Sequence, residues 1–150
     1  MNYRQKNLLG LLNAFGGHLL NTDFQKYLFL YTREFQQDPS YEFVPYRFGG
    51  FSFQSYVDKR SLVASGYLLD SNDWELGPER LDGDLFDSQS YEKCASKYSA
   101  LKGNSLLQNV YRRYPYYAIN SECASEIMQP EELEAIRSAR SKDDSVCFLQ

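Results

Sequence analysis

Apolar residues recur at helical spacing along most of this chain. Leu8, Leu11, Leu12 and Phe15 form one stripe between Gln5 and Phe15, which predicts an amphipathic helix. Gly16-Gly17 stops it, because glycine readily takes the positive φ of a helix C-terminus. A second helix begins at Asn21 or Thr22 as cap, with Asp23 favourable in its first turn. Phe24, Tyr27, Leu28, Tyr31 and Phe35 give it a stripe at i, i+3, i+4, i+7 and i+11. Phe29 and Leu30 lie off that stripe, so this helix is packed on more than one side and is expected to be the central element.

Asp38-Pro39-Ser40 breaks the pattern, and Tyr41–Tyr46 reads as a short extended segment in which Pro45 argues against a central strand. Gly49-Gly50 reads as a turn. A third helix is predicted over 52–65, with Ser52 as cap and Gly66 as terminator. Its register is ambiguous. Phe53, Tyr56, Val57, Val63 and Ala64 share a face, yet Arg60 falls in the middle of that face and Leu62 lies opposite. Tyr67–Asp70 and Trp74–Leu76, flanking Ser71-Asn72-Asp73, predict a β-hairpin.

The acidic stretch Gly77–Asp87, with Pro78 and Gly83, predicts a surface loop. Helical periodicity resumes over 90–101 and 104–113, the latter carrying Leu106, Leu107, Val110 and Tyr111 before Pro115 ends it. A last helix is expected from Pro130, a favoured first-turn residue, to Arg140. The expected fold is therefore mainly α with a small β-hairpin. A winged-helix-like core would span 1–76, an acidic loop 77–89, packed C-terminal helices of the same domain 90–141, and a linker or the start of a strand 142–150. Three helices followed by a hairpin is the winged helix-turn-helix order, in which the helices share one core and the hairpin covers its open edge.

A chain of 150 residues buries roughly 70% of its unfolded surface as one domain, enough to fold without a metal or disulfide. Aromatic usage changes the picture: 13 Tyr and 10 Phe stand against one Trp, and tyrosine suits half-wet surfaces because its ring packs while its hydroxyl stays hydrated. The net charge of −4 conceals blocks of +2 over 1–69, −6 over 70–90, +4 over 91–119 and −4 over 120–150. A dedicated nucleic-acid binder usually carries a stronger positive balance. Met1–Lys6 is polar, Leu8–Leu12 is too short for a signal sequence, and no apolar run approaches a bilayer span. A cytoplasmic location without membrane contact is expected. Cys94, Cys123 and Cys147 are odd in number and widely spaced, which suits free thiols.

Catalytic chemistry finds little support in these residues. His18 is the only histidine and follows Gly16-Gly17 with no nucleophile motif near any cysteine, so a turn or surface role is expected. Three scattered cysteines and one histidine make no convincing zinc set. Asp82-Gly83-Asp84 and Asp87 lack the ligand order of a calcium loop, and neither glycine pair continues into a phosphate loop. No enzyme activity, metal, cofactor or small-molecule substrate is expected.

Two binding surfaces remain. Tyr111-Arg112-Arg113-Tyr114-Pro115-Tyr116-Tyr117 combines residues enriched at protein hot spots. Tyr111, Arg112, Tyr114, Tyr116 and Tyr117 are thus the candidate protein-binding set, although Tyr111, Tyr114 and Tyr117 at this spacing also suit packing of the C-terminal helices. The apolar Val146–Leu149 could add to a sheet. The alternative is a winged-helix DNA-binding regulator. Gln54, Ser55, Lys59 and Arg60 on helix 52–65 would read bases, and Arg47 would contact phosphate. Asp70, Asp73 and Glu75 on the wing oppose that reading electrostatically.

The segments TDFQKYLFLYT, YEFVPYRFGGFSFQSYVDKRSLVASGYL and VYRRYPYYAINS resemble the N-terminal module of a group of bacterial proteins that carry a downstream domain of unknown function. That resemblance spans most of the chain. More distantly, residues 22–70 are similar to the Panacea or SocA-like antitoxin-associated domain. The resemblance implies a helical, non-catalytic module or adaptor that contacts a protein partner, whether a toxin, an adjacent domain or itself. It carries over no catalytic residue. It also implies that a further domain would begin near Val146-Cys147-Phe148-Leu149.

Overall fold

The computed structural model describes residues 1–36, 40–81 and 88–149, with side chains described as far as residue 142. Seven α-helices and two small two-stranded antiparallel sheets make up the described residues. The predicted acidic run Asp82–Asp87 and the Asp38-Pro39 break lie outside them.

Helix α1 (Tyr3–Ala14) starts at Asn2, whose side-chain oxygen accepts from the Gln5 amide at 2.8 Å while the Gln5 side chain accepts from the Asn2 amide. This reciprocal cap satisfies two donors that a helix start otherwise leaves free. Strand β1 (His18–Leu19) leads into helix α2 (Asn21–Glu34), which buries ten consecutive residues from Asp23 to Thr32. It touches α1, the fourth and fifth helices and the third strand. Phe29 and Leu30, off the main stripe, fill the additional sides, so α2 is the central element as its sequence predicts. Its rings hold the neighbours: Phe15 stacks on Tyr27 at 4.0 Å, Phe24 meets Trp74 at 4.2 Å, and Tyr31 meets Tyr91 edge-on at 5.2 Å. Fully burying rings of this size contributes about 2–3 kcal/mol each.

Strands β2 (Val44–Tyr46) and β3 (Gly49–Phe51) pair antiparallel, with Tyr46 opposite Gly49. Arg47-Phe48 is thus a two-residue hairpin loop, and Gly49 sits just after it at φ 100°, where a Cβ would be strained. The extended segment expected at 41–46 is therefore half of a hairpin. Pro45 is tolerated because, among the described residues, β2 has only one ladder partner and Pro45 needs no donor on the other side.

Helix α3 (Phe53–Ala64) is capped by Ser52, which accepts from the Ser55 amide at 3.2 Å. The hairpin expected over 67–76 appears in reduced form. Leu68 bridges Leu76, and the Leu69 amide donates to the Glu75 carbonyl at 2.9 Å. Strand β4 (Trp74–Glu75), however, takes its ladder partner from β1, with Leu19 opposite Trp74. Two residues per strand carry too little alternation for a sequence to announce that pairing.

Helices α4 (Ser88–Tyr98) and α5 (Gly103–Arg113), a 3₁₀ turn (Pro115–Ala118), α6 (Ala124–Ile127) and α7 (Pro130–Leu149) complete the fold. The segment from residue 142, expected as a linker or strand, instead continues α7 to Leu149. It contains no Gly or Pro to break the helix begun at Pro130. One apolar core runs from Leu8 to Ile136 and includes Tyr91, Tyr98, Leu107 and Tyr111. The later helices complete this core rather than extend a finished one. No helix among the described residues is long and apolar enough to cross a membrane.

Candidate functional site

Helix α3 is inside out. Its buried residues are Ser55, Asp58, Lys59 and Leu62, three of them polar or charged. Phe53 is 58% exposed and Val57 46%, Ala64 and Arg60 are also exposed, and Tyr56 and Val63 are half-buried. The apolar face that its spacing defines therefore points outward, with Arg60 in its middle.

Each buried polar group on α3 has a specific partner, and these partners fix the helix's rotation. Gln25 Nε2 donates to Ser55 Oγ at 2.8 Å, and Gln25 Oε1 accepts from the Ser52 amide at 3.1 Å. Asp58 accepts from Arg4 Nε at 2.5 Å, Arg4 Nη2 at 3.0 Å and the Tyr41 hydroxyl at 2.7 Å. Burial alone would raise the Asp58 carboxyl. The bonds from Arg4 and Tyr41, the Arg4 charge and the bond from Gln54 more than offset it and hold the group below its ordinary range. Lys59 Nζ donates to the Ser71 carbonyl at 2.9 Å and lies 5.1 Å from the Trp74 ring centre. Trp74 Nε1 in turn donates to Asn21, whose amide donates to the Tyr56 hydroxyl. Directional bonds of this kind are lost if the helix rotates.

Outside α3, the β2–β3 hairpin extends the exposed surface. Tyr46 and Phe48 are exposed at 40% and 47%. Phe51 lies 4.8 Å from Phe53 and 5.0 Å from Tyr56 between ring centres, and Tyr46 packs edge-on to Phe53 at 5.9 Å. On the opposite flank, a groove of about 710 Å³ runs between α3, the start of α2 and the 70–73 turn, lined by Leu20, Tyr56, Arg60, Val63, Asp70 and Asp73 among others. A smaller hollow of about 260 Å³ lies under the hairpin, bordered by Thr22, Phe48 and Tyr56.

The sequence-predicted residues divide sharply. Of the tyrosine set, Tyr111 is 1% exposed and Tyr117 9%, which corrects their reading as contact residues: both pack the C-terminal elements onto the core. Tyr114 donates to Glu34, and Arg112 bonds Glu132 on α7. Tyr116 alone of these tyrosines is exposed. Glu34 gathers Tyr98, Lys97, Tyr114 and Arg113. Burial would raise its carboxyl, yet these partners hold it below the ordinary carboxylate range. Arg33, beside it, stacks over Phe29, Tyr114 and Tyr117 and bonds the Tyr117 hydroxyl. The region is an aromatic–arginine joint between α2 and the 3₁₀ turn.

Of the DNA-reading set, Ser55 is fully buried and Lys59 is 7% exposed, so neither reaches outward. Their correction follows from the inverted helix. Gln54 is exposed and bonds Asp58, Arg47 pairs with Glu122 at 3.5 Å, and Arg60 has neither ion pair nor hydrogen bond among the described residues. Exposed apolar residues outside both candidate sets include Leu20, Val44, Tyr46, Phe48, Phe53 and Val57. The one available signal was Arg60, a charge set within an apolar stripe.

His18 is exposed and lies 3.3 Å from Asp73. Cys94 and Cys123 are free thiols, and burial pushes the Cys94 thiol up to about 12. Among the described residues no group of three or more His, Cys, Asp or Glu side chains gathers to hold a metal. Comparison with protein-family models, curated proteins and solved structures gave no match for this chain.

Proposed function

We propose that this chain is a non-catalytic protein-interaction module whose docking face is the outward stripe of α3 together with the β2–β3 hairpin. The observation that carries this reading is the reversal of α3: Phe53 and Val57 face solvent while Ser55, Asp58 and Lys59 are buried. A helix normally turns its apolar stripe to the core, and here the bonded polar groups prevent it. The apolar side is thus available to another molecule. An adaptor or antitoxin-like regulatory role, as the sequence resemblance implies, agrees with such a face.

A winged-helix-like arrangement of the N-terminal half fits the same reading. Its support is the order α1, β1, α2, β2, β3, α3, β4, with β4 on β1 and Leu68 bridging Leu76, although the β2–β3 hairpin intervenes between α2 and α3. In that arrangement α3 occupies the position that reads DNA. Its outward residues here are Phe53, Gln54, Val57, Arg60, Ser61 and Ala64, with a single charge. Phosphate-rich duplex calls for several cations, so this composition favours a protein partner over DNA.

The test is site-specific photocrosslinking in native cells. A benzophenone amino acid at Phe53 should capture a discrete protein that a probe at Gln89, on the exposed side of α4, does not. Val57→Asp should abolish that capture, and the identified protein should bind the purified chain. Equal capture from both positions, or tight salt-sensitive binding to duplex DNA that Arg60→Ala removes, would count against the reading.

A further inference from the structure

Two buried donors beside the β2–β3 hairpin lack an acceptor. Lys26 is 3% exposed, and its one hydrogen bond among the described residues goes to the Thr22 carbonyl of its own helix. Among those residues no carboxylate lies within ion-pairing distance of its ammonium. Asp23 acts on that charge from farther off and is itself engaged, accepting from the Gly103 amide at 3.0 Å. Tyr111 is 1% exposed, and its hydroxyl completes no hydrogen bond among the described residues. Ser121 comes close enough to act on that hydroxyl without reaching bonding geometry. Buried polar groups left in this state destabilise a fold, and an acceptor placed between them would reverse the loss.

These donors, one on α2 and the other on α5, converge on Cys123, whose sulfur acts electrostatically on both. The Ser121 hydroxyl lies 3.7 Å from that sulfur and accepts from the Cys123 amide at 3.3 Å. Space adjoins the cluster. The hollow of about 260 Å³ under the hairpin borders Thr22, the acceptor for Lys26, and Gly49, where an added Cβ would lie 3.9 Å from the Tyr111 hydroxyl. Cys123 is only half-buried, so a small solute reaches it, whereas Cys94 is sealed in the core. A thiol is a weak acceptor and meets neither donor's need. A sulfinate carries a full negative charge and two strong acceptor oxygens.

We infer that Cys123 is a site of oxidation by hydrogen peroxide, and that Lys26 and Tyr111 hold the sulfinate it becomes. The sulfur attacks one peroxide oxygen and the O–O bond breaks. Sulfur is oxidised and the peroxide reduced, and the departing hydroxide takes the thiol's proton and leaves as water. A second peroxide repeats the step on the sulfenic acid, and the resulting sulfinic acid gives its proton to solvent. Lys26 then donates to one oxygen and Tyr111 to the other. Oxidation at this position tightens the fold.

The test uses the full chain carrying Cys147→Ser, which confines its thiols to Cys94 and Cys123. After peroxide treatment, peptide mass spectrometry locates the added oxygens and thermal melts follow. Cys123 should gain two oxygens and Cys94 none, and the oxidised chain should melt about 3 °C higher than the reduced one. Lys26→Met and Tyr111→Phe should each remove most of that gain. Cys123→Asp supplies a carboxylate without any oxidation, and it should melt above Cys123→Asn unless Lys26 is also replaced by Met. A Cys123 that stays reduced in the folded chain would overturn the inference. So would oxidation that lowers the melting temperature, or a gain that survives both Lys26→Met and Tyr111→Phe.

Discussion

Arg4 Nε lies 2.5 Å from Oδ2 of Asp58, joining the first turn of α1 to the inward side of α3. The contact spans 54 positions of sequence. With Gln25–Ser55 and Lys59–Ser71, it attaches α3 through hydrogen bonds where most helices use apolar area. The stability of the outward face therefore depends on polar chemistry beneath it.

Asp58→Asn should destabilise the fold by about 1–3 kcal/mol, since Arg4 and Tyr41 lose a charged acceptor. Urea denaturation at neutral pH measures it. A change below about 0.5 kcal/mol would mean the bond is not the fastening described.

The same carboxyl sets an acid limb. Its folded-state affinity for protons is depressed, as is that of Glu34. The unfolded chain therefore takes up protons first as pH falls. The stabilisation is complete above the ordinary carboxylate range near pH 4 and is lost progressively below it. Thermal melts from pH 6 to pH 3 should decline steeply for wild type and less steeply for Asp58→Asn. Parallel curves would contradict the assignment.

Lys26 predicts the opposite limb. It is 3% exposed, donates to the Thr22 carbonyl at 2.8 Å, and burial, partly countered by Asp23, pulls its amine down to about 8. Between about pH 8 and the unfolded value near 10.5 the unfolded chain holds more protons at this site, so its contribution to stability rises with pH. Lys26→Met should equal or exceed wild type at pH 7. Wild type should then gain on it, by on the order of 3 kcal/mol in full, as pH climbs through that window. Chemical denaturation of both proteins at pH 7 and pH 9.5 gives the comparison.

Gly10 lies in the middle of α1, where alanine would ordinarily be the better helix former. A Cβ there would sit 2.3 Å from Cε2 of Tyr91, a buried ring whose hydroxyl is fixed on Asn7. Gly10→Ala should therefore destabilise by about 1–3 kcal/mol, and Tyr91→Leu should cost less in that background than in wild type. Additive losses in the double-mutant cycle would show that α1 and α4 do not meet as closely as this.

Replacing the outward residues should have little effect on folding. Val57→Ser and Phe53→Ser should change stability by less than about 1 kcal/mol, while light scattering in concentrated solution falls as the apolar patch shrinks. A loss of several kcal/mol on Val57→Ser would place that side chain in the core.

Much of this architecture was legible in spacing and caps. The stripe of α2, with Phe29 and Leu30 off it, identified the central helix, and Gly16-Gly17, Ser52 and Pro115 marked real boundaries. Helical periodicity found the face of α3 but not its direction. Direction depends on Arg4, Gln25 and Ser71, which lie too far along the chain for any local window to weigh. The tyrosines after Val110 posed the reverse problem: their residue type suits both interface and core, and only packing against α2 placed Tyr111 and Tyr117 inside. Two-residue strands such as β1 carry no alternation to read.

The reversed helix also bears on how this protein can change. Ser55, Asp58 and Lys59 fasten α3 from one side, while Phe53, Val57 and Arg60 look out from the other. Drift on the outer set leaves the fastening intact, so the outward side of α3 can change by ordinary point mutation without loss of the fold.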